Sequence, residues 1–300
     1  MPTFEEHRSL LTGVAYRILG SVADAEDVVQ EAWLRWATVD EAGVEDPKAF
    51  LIRVTSRLAI DRLRWAKSRR ESYVGPWLPE PLSTAPDVAE HAELADSVEM
   101  ALLVVLETLS PLERAVFVLR EAFDLPFAEI AEIIGRAEPA TRQLARRARD
   151  HVRDKRPRFD VDRGERRRIT ERFIAAAGNG DLDGLIELFA SEVTMVSDGG
   201  GKARAALRII TGTENVGRYL LSINTPANTA RFLASIGMAP IPDLTIEMAE
   251  LNSAPALVLS VGGRVITVVS LLIADGRITT IYLIANPEKI AHLTPGGGAG

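Results

Sequence analysis

Residues 138–153 read Glu-Pro-Ala-Thr-Arg-Gln-Leu-Ala-Arg-Arg-Ala-Arg-Asp-His-Val-Arg. At helical spacing Thr141, Leu144, Ala145, Ala148 and Val152 share an inner face, which leaves Arg142, Gln143, Arg146, Arg147 and Arg149 outside. A guanidinium fork or a Gln amide can make paired hydrogen bonds with guanine or adenine edges. Taken alone, such a run reads equally well as a solvated helix face. The preceding residues tip the balance. Positions 125–135, Leu-Pro-Phe-Ala-Glu-Ile-Ala-Glu-Ile-Ile-Gly, form a short helix closed by a glycine turn. Helix, turn and arginine-rich helix is the helix-turn-helix order, whose second helix lies in the DNA major groove.

A second basic stretch holds Arg53, Arg57, Arg62, Arg64, Lys67, Arg69 and Arg70, able to grip a phosphate backbone, with Trp65 or Tyr73 available for base stacking. Between Arg70 and Arg114 there is no Lys or Arg, and the interval carries Glu71, Glu80, Asp87, Glu90, Glu93, Asp96, Glu99, Glu107 and Glu113. The net charge of −7 therefore averages over basic, acidic and basic blocks, which read as two polyanion-binding faces and an acidic connector. Residues 24–36, with Asp24, Glu26, Asp27, Gln30, Glu31 and Trp33, form an acidic and aromatic helix.

Catalysis has poorer support. Asp198, Asp243, Glu247 and His292 are the candidate acids and bases of the C-terminal half, and no pairing among them is legible. Asp198, before Gly199, Gly200 and Gly201, is expected to cap a turn, and His292 to lie exposed near the tail. The glycine run lacks the Gly-Lys-Thr ending and helix context of a phosphate loop. No catalytic residue, metal or cofactor is expected. The absence of cysteine removes disulfides and thiolate zinc sites and fits a reducing compartment, the cytoplasm. Glu5, Glu6 and Arg8 stand where a signal peptide would be apolar, and no apolar run suits a membrane span, so no membrane partner is expected.

These residues must be held by separate units, as 300 residues exceed the usual domain. Residues 1–74 show helical periodicity throughout, with turns at Gly20-Ser21 and 43–47. The prolines of 75–81 exclude regular helix and open a linker, 75–95. A second helical unit spans 96–158. Beyond it, helices at 164–177 and 181–189, a strand at 193–196 and a helix at 216–222 precede strands at 244–250, 256–261, 265–273 and 278–284. Gly262-Gly263 and Asp275-Gly276 supply hairpin turns, giving an α+β domain over 164–293 and a disordered tail, 294–300.

The run Asp24-Ala-Glu-Asp-Val-Val-Gln-Glu-Ala-Trp-Leu-Arg-Trp36 resembles region 2 of the extracytoplasmic-function sigma factors. The resemblance implies that this helix docks on the β′ clamp of RNA polymerase core and that the helix over 50–70 reads and opens the minus-ten element. The helix-turn-helix then resembles region 4, implying minus-thirty-five readout beside the β flap. Arg57 stands where many members have Asn, and Ala137 where Ser often caps the recognition helix.

The C-terminal order is similar to the SnoaL-like branch of the NTF2-like superfamily. Trp77-Leu78-Pro79-Glu80-Pro81, Asp198-Gly199-Gly200-Gly201-Lys202 and Asn286-Pro287-Glu288-Lys289-Ile290 resemble the motifs of sigma factors with a fused SnoaL-like domain, which implies regulatory contacts among them. Lys202 is expected to meet linker acids such as Glu80. The fold class is then two all-α sigma domains, a region 2 bundle and a region 4 helix-turn-helix, followed by a SnoaL-like α+β domain. The expected partners are polymerase core and promoter DNA, with a small-molecule ligand in the C-terminal pocket left open. A ligand-sensing helix-turn-helix repressor and a protein with a SnoaL-type enzyme domain are the alternatives.

Overall fold

The structure, a computed structural model, describes residues 2–84, 99–155, 162–239 and 244–295. The expected connector acids Asp87, Glu90, Glu93 and Asp96, the candidate Asp243 and residues 296–300 of the tail lie outside the described residues. The chain divides into two compact units, one of Met1–Ser72 with Pro86–Arg156 and one of Tyr73–Ala85 with Pro157–Gly300.

The first unit is helical. Helix α1 (Pro2–Leu19) meets α2 (Val22–Trp36) at Gly20, whose φ of 70° makes the turn, and Ser21 caps α2 by accepting from Asp24 N at 3.1 Å. Helix α3 (Pro47–Arg70) opens on Pro47, with Asp46 accepting from Ala49 N. Phe4, Leu11, Val14, Ile18, Trp36 and Leu51 are buried, as the periodicity requires. In the same unit lie α4 (Met100–Glu107), α5 (Pro111–Phe117), α6 (Phe127–Ile134) and α7 (Glu138–Lys155). Ser110 and Glu113 form a capping box on α5, which continues into a π-helical turn, Val118–Ala122. Gly135, at φ 65°, ends α6 and sets the step into α7.

In the second unit α8 (Arg163–Asn179) and α9 (Leu182–Leu188), each capped by an aspartate, precede β1 (Phe189–Asp198) and β2 (Ile210–Thr211). Then come α10 (Thr213–Ile223), α11 (Pro226–Ser235), β3 (Leu244–Leu251), β4 (Ala254–Val261), β5 (Arg264–Ala274), β6 (Arg277–Ile284) and the short α12 (Pro287–Ile290). The sheet order is β2-β1-β6-β5-β4-β3, antiparallel except for the parallel β1–β6 pair. Alternate residues on one face, among them Val193, Met195, Ile281 and Leu283, pack with Phe173, Leu185 and Val216 of the helices. Those side chains fill that face. The short β2, α11 and α12 were not expected, and Tyr73 and Val74, expected in the first helical unit, group with the sheet together with 75–84 of the expected linker.

Candidate functional site

On α7 Thr141, Ala145, Ala148 and Val152 are buried, and the basic face divides into two sets. Arg142 is braced by Glu138 one turn earlier, its Nε 3.1 Å from the carboxylate, and its guanidinium lies 4.7 Å from the Phe127 ring centroid. Arg146 is 85% exposed, and Gln143 is exposed beside it. By contrast, Arg147 Nε pairs with Glu113 at 3.1 Å and Arg149 Nη2 with Glu121 at 2.7 Å. Burial disfavours the Glu113 carboxylate, yet the bonds from Ser110 and Arg147 hold its carboxyl below the ordinary value.

The α3 stretch is less open than its sequence implies. Arg57 donates Nη2 to Glu132 O at 2.8 Å and Nε to Ile133 O at 3.2 Å, while Arg53 approaches the Glu132 carboxylate at 3.5 Å. Arg62 bonds Asp24 and Asp27, each at 2.8 Å, and the Asp24 bond leads in raising its pKa. Lys67 donates to Glu107 O at 3.3 Å and to Leu109 O. Arg70 pairs with the Glu107 carboxylate, as does Arg114, which is fully buried and donates to Arg17 O at 3.1 Å. Sequence reasoning missed Arg114, which belongs to no basic run, and saw Glu107 only as one acid of the expected connector. Arg64, paired with Asp61 at 2.9 Å, and Arg69 stay exposed. Trp65 is 53% exposed between Arg62 and Arg69, whose guanidinium carbons stand 5.6 and 4.6 Å from its ring centroid. On α2, Glu26, Asp27, Gln30, Glu31 and Trp33 are exposed and Asp24 is half-buried.

In the second unit the three expected motifs converge. Asp198, fully buried, does not simply cap its glycine turn: its carboxylate accepts from Tyr73 Oη at 2.6 Å, from Leu78 N at 2.8 Å and from Lys289 Nζ at 2.7 Å. Tyr73 is therefore engaged here, and burial, followed by Asp198, pushes its phenol pKa well up so that it stays a donor. Lys289, also buried, donates to Leu78 O and lies 3.8 Å from the Trp77 ring centroid. Asn286 Nδ2 donates to Tyr73 Oη at 2.8 Å, and the His292 ring, exposed as expected, reaches Pro81 O at 2.7 Å. Lys202 pairs with Glu288, which corrects the expected contact with Glu80.

The glycine run is a steric requirement of this site. A Cβ on Gly199 would stand 2.3 Å from Ala203 O, and one on Gly200, whose φ is 58°, would stand 2.3 Å from Asn286 Nδ2. Farther along, Leu82 N donates to Asn252 Oδ1 at 3.1 Å, Asn252 N donates to Leu82 O at 2.8 Å, and Ser83 bridges to Leu251. Residues 73–84 thus form a strap pinned at the ends of β1 and β3.

Among the described residues no group of three or more His, Asp or Glu side chains could hold a metal ion, and no helix is long and apolar enough to cross a membrane.

A helical unit ending in a helix-turn-helix with an exposed arginine face, joined to an α+β sheet unit, defines a DNA-engaging multidomain protein. Residues 3–69 match the family Sigma-70 region 2, and residues 99–152 match Sigma-70, region 4. The chain is 39% identical over 293 residues to the ECF RNA polymerase sigma factor SigJ of Mycobacterium tuberculosis (strain H37Rv), spanning 95% of this chain and 91% of that protein. It is 34% identical over 299 residues to the probable ECF RNA polymerase sigma factor SigI of the same organism, spanning 98% and 96%. The crystal structure of M. tuberculosis SigJ superposes with a TM-score of 0.75 at 36% identity, over 96% of this chain and 97% of that one. The chain belongs to the ECF RNA polymerase sigma factors and directs RNA polymerase to promoters. That family is one of initiation factors rather than enzymes, so the repressor and enzyme alternatives give way to it.

Proposed function

We propose that α7 reads the minus-thirty-five element through Arg142, Gln143 and Arg146, that α3 engages the minus-ten region through Arg64, Arg69 and Trp65, and that Glu26, Asp27, Gln30, Glu31 and Trp33 of α2 meet the β′ clamp, with the β flap receiving region 4. Arg53, Arg57, Arg62, Lys67 and Arg70 join the DNA contacts once released from their present partners. The working units are residues 1–72, 99–155 and the strap with 162–295. The C-terminal unit modulates initiation through the strap. Control by a small molecule ranks second, since core side chains fill one face of the sheet.

The carrying observation is the division of the α7 face: Arg142 and Arg146 pair only with acids of α7 itself, Glu138 and Asp150, while Arg147 and Arg149 are tied to Glu113 and Glu121 of other elements. Run-off transcription with purified core, paired with promoter-variant binding, tests it. Arg142→Ala or Arg146→Ala should cost about 1–3 kcal/mol and relax preference at one base pair. Arg149→Ala should weaken every promoter alike. Unchanged promoter choice in both Arg142→Ala and Arg146→Ala would sink the assignment.

Core docking has its own check. Glu26→Lys with Glu31→Lys changes exposed residues only, so the fold should survive while core affinity falls. Asp27 is the poorer choice because it also holds Arg62. Native affinity in the folded double variant would remove α2 from the interface.

A further inference from the structure

We propose that the outer edge of β3 pairs with the same edge of a second copy of this chain, antiparallel about a two-fold axis at Ile246. The sheet has two edges. β2 blunts one of them, being only two residues long, whereas β3 is eight residues long and pairs with β4 without a bulge. Its sequence, Leu-Thr-Ile-Glu-Met-Ala-Glu-Leu, has neither the proline nor the lysine that commonly protects an edge. The strap fixes which backbone groups face out. Thr84 N donates to Glu250 O at 3.1 Å, so the Glu250 carbonyl points away from β4. Backbone groups alternate in direction along a strand, so the N–H and C=O of Met248, Ile246 and Leu244 point the same way. Among the described residues no hydrogen bond reaches those outward groups. The chain after Thr84 cannot supply the next rung, because its donor would be the N–H of residue 86, a proline.

The side chains single out the partner. Leu244, Ile246 and Met248 stand opposite Val261, Leu259 and Leu257 of β4, so they lie on the sheet face that carries the core. Leu244 is 44% exposed and Ile246 46%, so this apolar row runs out to the edge and ends uncovered. A second β3 completes it. With Ile246 opposite its own copy, Leu244 meets the partner's Met248 and Met248 the partner's Leu244, and each such pair exchanges both of its N–H···O bonds. On the other face Thr245 then meets the partner's Glu247. A register centred on Glu247 would instead set two carboxylates directly opposite each other, so charge selects the same register as apolar fit. A ladder over residues 244–248 is small beside the roughly 1,200–2,000 Å² that stable interfaces bury, so the dimer is reversible and forms as concentration rises.

Sedimentation velocity of the full-length protein over a concentration series should show a monomer that becomes a dimer. Ile246→Lys sets a charge opposite its own copy and should weaken that dimer about tenfold or more. Its thermal melt should match the parent, because the side chain is exposed. The chain has no cysteine, so introduced thiols read the register directly. Hydrogen-bonded residues opposite each other on an antiparallel ladder have Cα atoms about 5.5 Å apart, within disulfide reach. Ile246→Cys should therefore crosslink to its own copy under mild oxidation with copper phenanthroline. Leu244→Cys should not, since its own copy would stand about 13 Å away along the partner strand, but mixed with Met248→Cys it should. A parent that stays monomeric throughout the series, a folded Ile246→Lys variant that dimerises as the parent does, or Leu244→Cys crosslinking to itself as fast as Ile246→Cys overturns the proposal. So does protection of Ile246→Cys from alkylation in the monomer, the result expected where another part of this chain covers the edge.

Discussion

Asp198→Ala should destabilise the second unit by about 3–5 kcal/mol, the usual cost of removing one partner from a buried ion pair. Lys289 would keep its charge in a buried site, beside Leu78 O and the Trp77 and Tyr73 rings, without the carboxylate that pairs with it. Tyr73 Oη and Leu78 N would lose their acceptor as well. Asp198→Asn retains an acceptor of the same shape, so it should cost less. Lys289→Met together with Asp198→Asn removes both charges and should recover part of the loss, because two neutral groups need no counter-charge. Thermal melts of the full-length variants read the stability, and proteolysis within 73–84 reads release of the strap. If Asp198→Ala melts like the parent and its strap resists cleavage, the ion pair does not hold the strap.

Much of the architecture was legible because it is written locally. Gly262-Gly263 and Asp275-Gly276 adopt positive φ between successive strands, as hairpin turns of those residues do, and β4, β5 and β6 fall close to the stretches expected as strands. The turn between β3 and β4 escaped notice because it is made by Asn252 and Ser253, at φ 51° and 60°, without any glycine. Asn252 then has a second task, since its side chain and backbone both pair with Leu82. Helix α11 was missed too: it buries little beyond Leu233, so no apolar stripe announces it.

The residues proposed to face DNA were legible only as types. Periodicity separates Arg142 and Arg146 from the α7 core, but it cannot tell them from Arg147 and Arg149, whose acids Glu113 and Glu121 lie more than one element away in sequence. The same limit applies to α3. Seven cations in one run suggested one open basic face, while Lys67, Arg70 and Arg57 are turned towards α4 and α6 by partners that no local pattern reveals. The strap shows the opposite case. Its three motifs were expected to meet, yet the chemistry that joins them, a buried carboxylate taking a phenol, an amide and an ammonium, depends on a fold that sets Asp198 beside Tyr73 and Lys289.

Two truncations should move transcription in opposite directions. Ending the chain after Ala285 leaves β6 whole, since that strand closes at Ile284, but removes Asn286, Lys289 and His292. The strap then loses the bonds of Asn286 to Tyr73, of Lys289 to Leu78 O and of His292 to Pro81 O, and Asp198 keeps Tyr73 and Leu78 N but loses its buried counter-charge, while Leu82, Ser83 and Thr84 keep their bonds to the end of β3 and the turn after it. Because the strap follows α3 directly in the chain, loosening its hold on the sheet lengthens the free connection between the two units, and run-off activity should rise several-fold. Covalent attachment explains why so local a change matters: a tethered surface acts at an effective concentration on the order of mM, so weak restraint is still well populated. Ending the chain after Arg158 instead removes the whole sheet. Leu78 and Leu82, now buried, would be exposed, and the expected result is loss of activity through misfolding or aggregation. Core-dependent run-off at matched protein concentration, with melts to confirm that residues 1–72 stay folded, separates these effects. Equal activity for the full chain and both truncations would remove the C-terminal unit from regulation.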